Sequence, residues 1–153
     1  MSNEPNSKYD LEERTAKFGE DIIVFVREVG GDGKDYIVEA ILKQLVRSGT
    51  SVGANYCEAD CAETKKDFEH KIGICNKEAK ETKHWLRMVA KAKPNQAESA
   101  RKLWKEAHEL NLIFTSIIRK SKENSAKEKV EDFQKDNVRE NGKSFSILLD
   151  IRN

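Results

Sequence analysis

Two short patterns in this chain place an acid three residues before a histidine: Asp67-x-x-His70 and Glu81-x-x-His84. Residues three apart on a helix are neighbours. Glu-x-x-His from each of two helices, joined by a Glu from each of two others, is how helical bundles hold paired iron or manganese ions. Both pairs here fall on one helical segment, however, so they cannot face each other across a bundle, and both histidines lie off its apolar line. They read as surface or interface residues, and no metal site is expected. Cys57, Cys61 and Cys75 are an odd set inside helical segments, with no second Cys or His pair at zinc spacing. They read as free thiols of a reducing compartment, the cytoplasm. The chain has no Gly-rich phosphate loop, no nucleophile elbow and no Cys-His pairing. These residues point to no enzyme activity and to no cofactor.

The polar residues in the most unusual setting lie between Gln44 and Ala59, in the stretch QLVRSGTSVGANYCEA. Gly49 and Gly53 each disfavour a helix by about 1 kcal/mol relative to Ala, so a compensating close contact is expected there. Ser48, Ser51 and Asn55 fall on the inner face of that helix, where they would bond to neighbouring helices. A ligand-binding reading would make Asn55 and Glu58 contacts to a small molecule. The packing reading needs fewer assumptions, since small residues let two backbones approach.

The elements that position this stretch are helices. The chain has 153 residues, 36% of them charged, with 8 Gly, 2 Pro and 7% aromatic residues, as one domain of long helices would have. Asp10 with Glu13 makes a capping box for a first helix. Its stripe is Leu11, Thr15, Phe18, Ile22, Phe25 and Val29. Gly30 to Gly33 is a turn. A second helix follows from about Lys34 to Asp60, with the stripe Ile37, Ile41, Gln44 and Leu45, Ser48, Val52, Asn55 and Ala59.

Thr64 with Asp67 caps a third helix. Its stripe of Phe68, Ile72, Cys75, Ala79, Thr82, Leu86 and Val89 alternates spacings of four and three, as antiparallel bundles do. Ile74, Trp85 and Met88 lie off that line and read as surface for a partner. Lys93-Pro94 breaks the helix, and Asn95 with Glu98 starts a fourth, lined by Ala100, Leu103, Ala107, Leu110, Phe114 and Ile117 and widened by Trp104 and Ile118. Residues 1–9 read as a flexible N-terminus, 10–120 as the bundle, and 121–153 as a charged flexible tail. The tail ends in the apolar segment Phe145 to Ile151, which would dock on the bundle or on a neighbouring subunit. No apolar run approaches the roughly 20 residues that span a bilayer, and no signal peptide opens the chain; no membrane is expected.

Net charge is +1, but its distribution is uneven: Lys8 to Asp60 carries 7 basic and 11 acidic residues, Lys65 to Lys105 carries 12 basic and 5 acidic. The second half of the bundle is therefore locally basic. Lys65, Lys66, Lys71, Lys77, Lys80, Lys83, Arg87, Lys91, Arg101, Lys102 and Lys105 are its candidate nucleic-acid contacts, against the plainer reading that they are solvated helix faces.

Gln44-Leu45-Val46-Arg47-Ser48, Ser51-Val52, Asn55 and Glu58-Ala59, followed by Lys77-Glu78-Ala79-Lys80-Glu81-Thr82 and Trp85-Leu86, resemble the four-helix-bundle proteins encoded in 23S ribosomal RNA intervening sequences. Glu106, Glu109-Leu110 and Thr115-Ser116-Ile117-Ile118 extend the resemblance, which covers Leu11 to Lys120. The chain departs from the family at Ala59 and His84, where members commonly carry Gly and Tyr. The resemblance implies an all-α, antiparallel up-down four-helix bundle that assembles as a homopentameric ring without established catalytic activity. The family is in turn similar to the accessory proteins of diversity-generating retroelements, which implies RNA or DNA, and a reverse transcriptase or other nucleic-acid enzyme, as partners. The expected function is a non-enzymatic oligomeric scaffold associated with RNA or a nucleic-acid-handling partner. The alternative is a structural or protein-binding adaptor without nucleic-acid contact.

Overall fold

A computed structural model describes residues 10–30, 33 and 35–150, with side chains to residue 135. Among the described residues there are four α-helices and no strand: α1 (Leu11–Val29), α2 (Tyr36–Asp60), α3 (Lys65–Ala92) and α4 (Ala97–Asp150). The chain divides into two compact units after Ile118.

In the first unit each of the first three helices begins on a side-chain cap. Asp10 accepts from the backbone N–H groups of Glu12 and Glu13, Asp35 from Ile37 and Val38, and Thr64 from Asp67, satisfying donors a helix start leaves open. α4 begins differently from the expected Asn95 cap. Pro94–Gln96 form a 3-10 turn that runs straight into Ala97, because proline supplies the helical φ and lacks the N–H that a cap would have to satisfy.

Consecutive helices run antiparallel. Along α1 and α2, Thr15 lies by Gly53, Ile22 by Gly49 and Gly30 by Leu42. Along α2 and α3, Cys75 meets Val52 and Thr82 meets Ser48. Along α3 and α4, Asn76 meets Asn111 and Lys83 meets His108. The core is the stripe residues of α1 and α3, of which Leu11 and Phe68 are only half-buried, together with Val38, Leu42, Leu45, Val52 and Ala59 of α2 and Ala100, Ala107, Leu110 and Phe114 of α4.

The first turns of α2 differ from expectation. Val38 and Leu42 are buried, Ile41 is half-buried, and Ile37 is 53% exposed. Gln44, placed on the inner stripe, is exposed. Val38 and Leu42 line a small cavity with Val29 and Gly30, so the helix presents the neighbouring stripe to α1.

The compensation expected for Gly49 and Gly53 is a contact with α1. A Cβ at Gly49 would stand 2.9 Å from Ile22, and one at Gly53 would stand 3.1 Å from the Thr15 carbonyl oxygen. Gly19 faces Thr50 from the other side.

In the second unit the backbone from residue 121 to 150 is helical rather than irregular. Its Lys, Glu, Ala and Arg content favours helix, and Arg119 pairs with Glu123 at 3.8 Å and Lys135 with Asp132 at 3.9 Å. Its described side chains are almost all exposed, Val130 and Phe133 included. The expectations for residues 1–9 and for the docking of Phe145 to Ile151 lie outside the described residues and side chains. Among the described residues no helix is long and apolar enough to cross a membrane.

Candidate nucleic-acid interface

Two side-chain constellations stand out, one on each flank of α3. On the α2 flank, Arg47 reaches from α2 to two carboxylates of α3. It is hydrogen-bonded to Glu81, lies 3.5 Å from Glu78 Oε2, and its Nε is 3.4 Å from Gln44 Oε1. Trp85 Nε1 donates to the same Glu81 oxygen at 3.3 Å. Burial pushes the Glu81 carboxyl up, but hydrogen bonds from Arg47 and Trp85 and the positive charges of Arg47 and Lys77 outweigh it, and the group sits below the ordinary range. Glu78 is buried, and its Oε2 accepts no hydrogen bond among the described residues. Arg47 thus supplies the charge that a buried carboxylate requires.

The other motif residues divide. The Ser48 and Thr82 hydroxyls lie 3.0 Å apart in the core, linking α2 to α3, with Leu45 and Glu78 carbonyls as further acceptors. Ser51 and Asn55 do not cross to a neighbour: they donate to their own helix at Arg47 O (2.7 Å) and Ser51 O (2.8 Å). Side chains this short reach the carbonyl one turn back more readily than another helix. Glu58 is exposed and pairs with Lys71. Seven of the eight motif residues thus tie α2 to α3 or bond back along α2, while Gln44 bonds only Arg47.

On the α4 flank, Lys83 Nζ lies 4.8 Å from the centre of the Trp104 ring and 3.1 Å from His108 Nδ1. Trp104 stacks on His108, ring centres 5.2 Å apart. His108 lies one helical turn after Trp104. One turn before it opens a groove of about 380 Å³, with Leu86 and Ala90 of α3 on one side and Ala97, Ala100 and Trp104 of α4 on the other. Arg87, Arg101 and Lys105 rim it, all three exposed, and none has a carboxylate within 4.0 Å among the described residues.

The remaining candidate cations do not line the groove. Lys71 is held by Glu58, and Lys102 lies 3.6 Å from Glu98. Lys65 and Lys66 sit at the far end of α3, and Lys77 acts on Glu81. Lys80, Lys83, Arg87 and Lys91 recur at spacings of three and four, so they form a row along α3 beside the groove. Ile74, Trp85 and Met88, expected to need a partner, are half-buried within the single chain, as is Trp104. The large apolar residues it exposes in the first unit are Ile23, Val24, Tyr36, Ile37 and Leu112.

Sequence reasoning missed two connections to α4. Arg14 of α1 is held by Glu106 through two bonds, at 2.6 and 3.0 Å, and by Glu109 at 2.6 Å. The bonds and charges of these carboxylates outweigh partial burial and raise its pKa. Asn111, buried on α4, donates to Asn76 of α3. Asn111 could have been found, since it lies one turn from both Ala107 and Phe114 on the buried face.

As for metal chemistry, Glu81 is turned to Arg47, while His84 is exposed and packs edge-on against Trp85 at 4.9 Å. Among the described residues no three His, Cys, Asp or Glu side chains converge. Cys57 and Cys61 are exposed free thiols. Cys75 is buried, its thiol pushed up to about 12 by desolvation.

Comparison with known proteins agrees with this architecture. A crystal structure of a protein of unknown function from the S23 ribosomal protein family of Bacteroides thetaiotaomicron is 31% identical to the chain. It matches 70% of this chain and 96% of its own, with a TM-score of 0.63. No curated protein matches. The family model described as 23S rRNA-intervening sequence protein matches residues 11–134. The four helices, α2 and α3 among them joined by Arg47–Glu81 and Ser48–Thr82, thus lie in a chain that belongs to the 23S rRNA-intervening sequence protein family.

Proposed function

We propose that the protein is a non-enzymatic, ring-forming scaffold, a homopentamer as the family resemblance implies, whose α3–α4 flank binds the phosphate backbone of RNA or presents it to a nucleic-acid-handling enzyme. The observation that carries this reading is the convergence of Arg87, Arg101 and Lys105 on one groove, without carboxylate partners among the described residues, beside the row Lys80, Lys83, Arg87 and Lys91. Unneutralised cations lining a cleft raise the local concentration of a polyanion. Repetition around a ring would join the patches of several subunits. The exposed Ile23, Val24, Tyr36, Ile37 and Leu112 are apolar area that self-association would cover.

Phosphate-led binding weakens steeply with salt, because each neutralised phosphate releases counterions. Mobility shifts with structured RNA and with duplex DNA should therefore appear at about 50 mM salt and fade by about 200 mM. The triple variant Arg87→Glu, Arg101→Glu, Lys105→Glu should abolish them, whereas Lys71→Glu with Lys102→Glu should leave most of the binding. Light scattering on the same samples reads the mass. An oligomer that shifts neither nucleic acid leaves the second reading, a protein-binding adaptor, which the exposed Tyr36 and Ile37 favour. A monomer removes the ring.

A further inference from the structure

The cations around the α3–α4 groove account for attraction to phosphate, but they do not account for the groove. A phosphate-binding surface needs no cavity, and this one is apolar at its base, with Trp104 for one wall. We infer that the groove takes an unpaired nucleobase, stacked against Trp104 where it lines the groove, while Arg87, Arg101 and Lys105 hold the phosphates on either side of it. The inference rests on the nucleic-acid reading above and narrows it to single strands.

Three observations support this occupant. Trp104 is already part of a stack: His108 packs on it one turn further along α4, and Lys83 lies over its ring. The groove opens on the turn before, so a flat ligand entering there extends a stack already begun. The alanines opposite and beside the indole, Ala90 and Ala97, are half-buried and leave room that larger side chains would close. At about 380 Å³ the space is in the range of small-molecule sites. Finally, the three cations that line it are exposed, whereas Leu86 and Ala100 of its apolar lining are buried. A ligand apolar and planar in the middle and anionic at its edges matches that order of surfaces. A base within a duplex does not, because its faces are already stacked and its phosphates lie outside.

The test compares fluorescently labelled oligoadenylate with a duplex of equal length, by anisotropy at one fixed salt concentration. The wild-type protein should bind the single strand at least about tenfold more tightly, the scale of one aromatic–base stack. Ala90→Leu fills the groove while keeping Trp104 and every cation in the chain. It should cut single-strand binding about tenfold and leave duplex binding within about twofold. Trp104→Ala should do the same, and Ala90→Leu keeps the test valid if loss of the indole unfolds the protein, as circular dichroism would show. Equal affinity for single strand and duplex in the wild type overturns the inference while leaving phosphate-led binding intact. So does an Ala90→Leu protein that loses neither or loses both alike. Adenosine monophosphate that competes as tightly as the strand would assign the groove to a free nucleotide and overturn the strand reading. Failure to bind any nucleic acid instead removes the function proposed above, and this inference with it.

Discussion

The α1–α2 and α3–α4 seams are both lined with small residues, yet one is closed and the other is open. At the first, Gly49 lies under Ile22 and Gly53 under the Thr15 backbone, so close that a methyl group has no room at Gly49. At the second, Ala90, Ala97 and Ala100 are nearly as small, but Trp104 stands between the helices and a groove remains beside it. The distance between packed helices is set by the side chains at the contact. A small residue closes a seam where it meets backbone or a β-branched neighbour directly. Where it shares the seam with an indole, it leaves a space. The first seam therefore contributes stability and the second contributes surface.

Substitution at the closed seam should have the largest effect. Gly49→Leu must displace Ile22, whose branched side chain has little freedom on a helix, and should cost about 3 kcal/mol in urea unfolding. A midpoint equal to the wild type would mean that the helices can part at no cost and that the seams do not differ. The α2–α3 contact between them should show a smaller, pH-dependent effect. The Glu81 carboxyl is depressed in the folded state, so its contribution is present above its unfolded value of about 4.3 and is lost as pH falls through the lower folded value. The stability difference between wild type and Glu81→Gln should therefore be larger at neutral pH than below that window. A difference of the same size at both ends would show that Arg47 does not hold the carboxylate. At the open seam, Ala90→Leu should change stability by no more than about 0.5 kcal/mol in either direction, because the new side chain enters existing space. A loss comparable to that of Gly49→Leu would mean the groove is as tight as the other seam.

Much of the scaffold was legible in the residues. The stripes of α1 and α3, alternating four and three, named their buried residues, and Asp10 and Thr64 marked their starts, since a 3.6-residue period and a short capping side chain act locally. The α2 stripe was less legible: at its first turns Val38 and Leu42 are inside where Ile37 and Ile41 were expected. All four are apolar, and only packing against the neighbouring helix chooses between adjacent stripes.

What the sequence by itself determined is the set of helices, their small-residue stretch and the family motif, because helix period, capping and motif spacing are properties of neighbouring residues. Tertiary structure alone decided the rest. It chose α1 as the element that fills the space beside Gly49 and Gly53, and it kept Ser51 and Asn55 on their own helix while Ser48 alone crossed to Thr82. It joined Arg14 to Glu106 across 92 positions of the chain. Among eleven similar cations it also set apart Lys71 and Lys102, held by carboxylates, from the three gathered at one groove. The physical reason is the same in each case. The charge and size of a side chain are local, but its partner is set by which helix lies alongside, and helices far apart in sequence become neighbours only when the core closes.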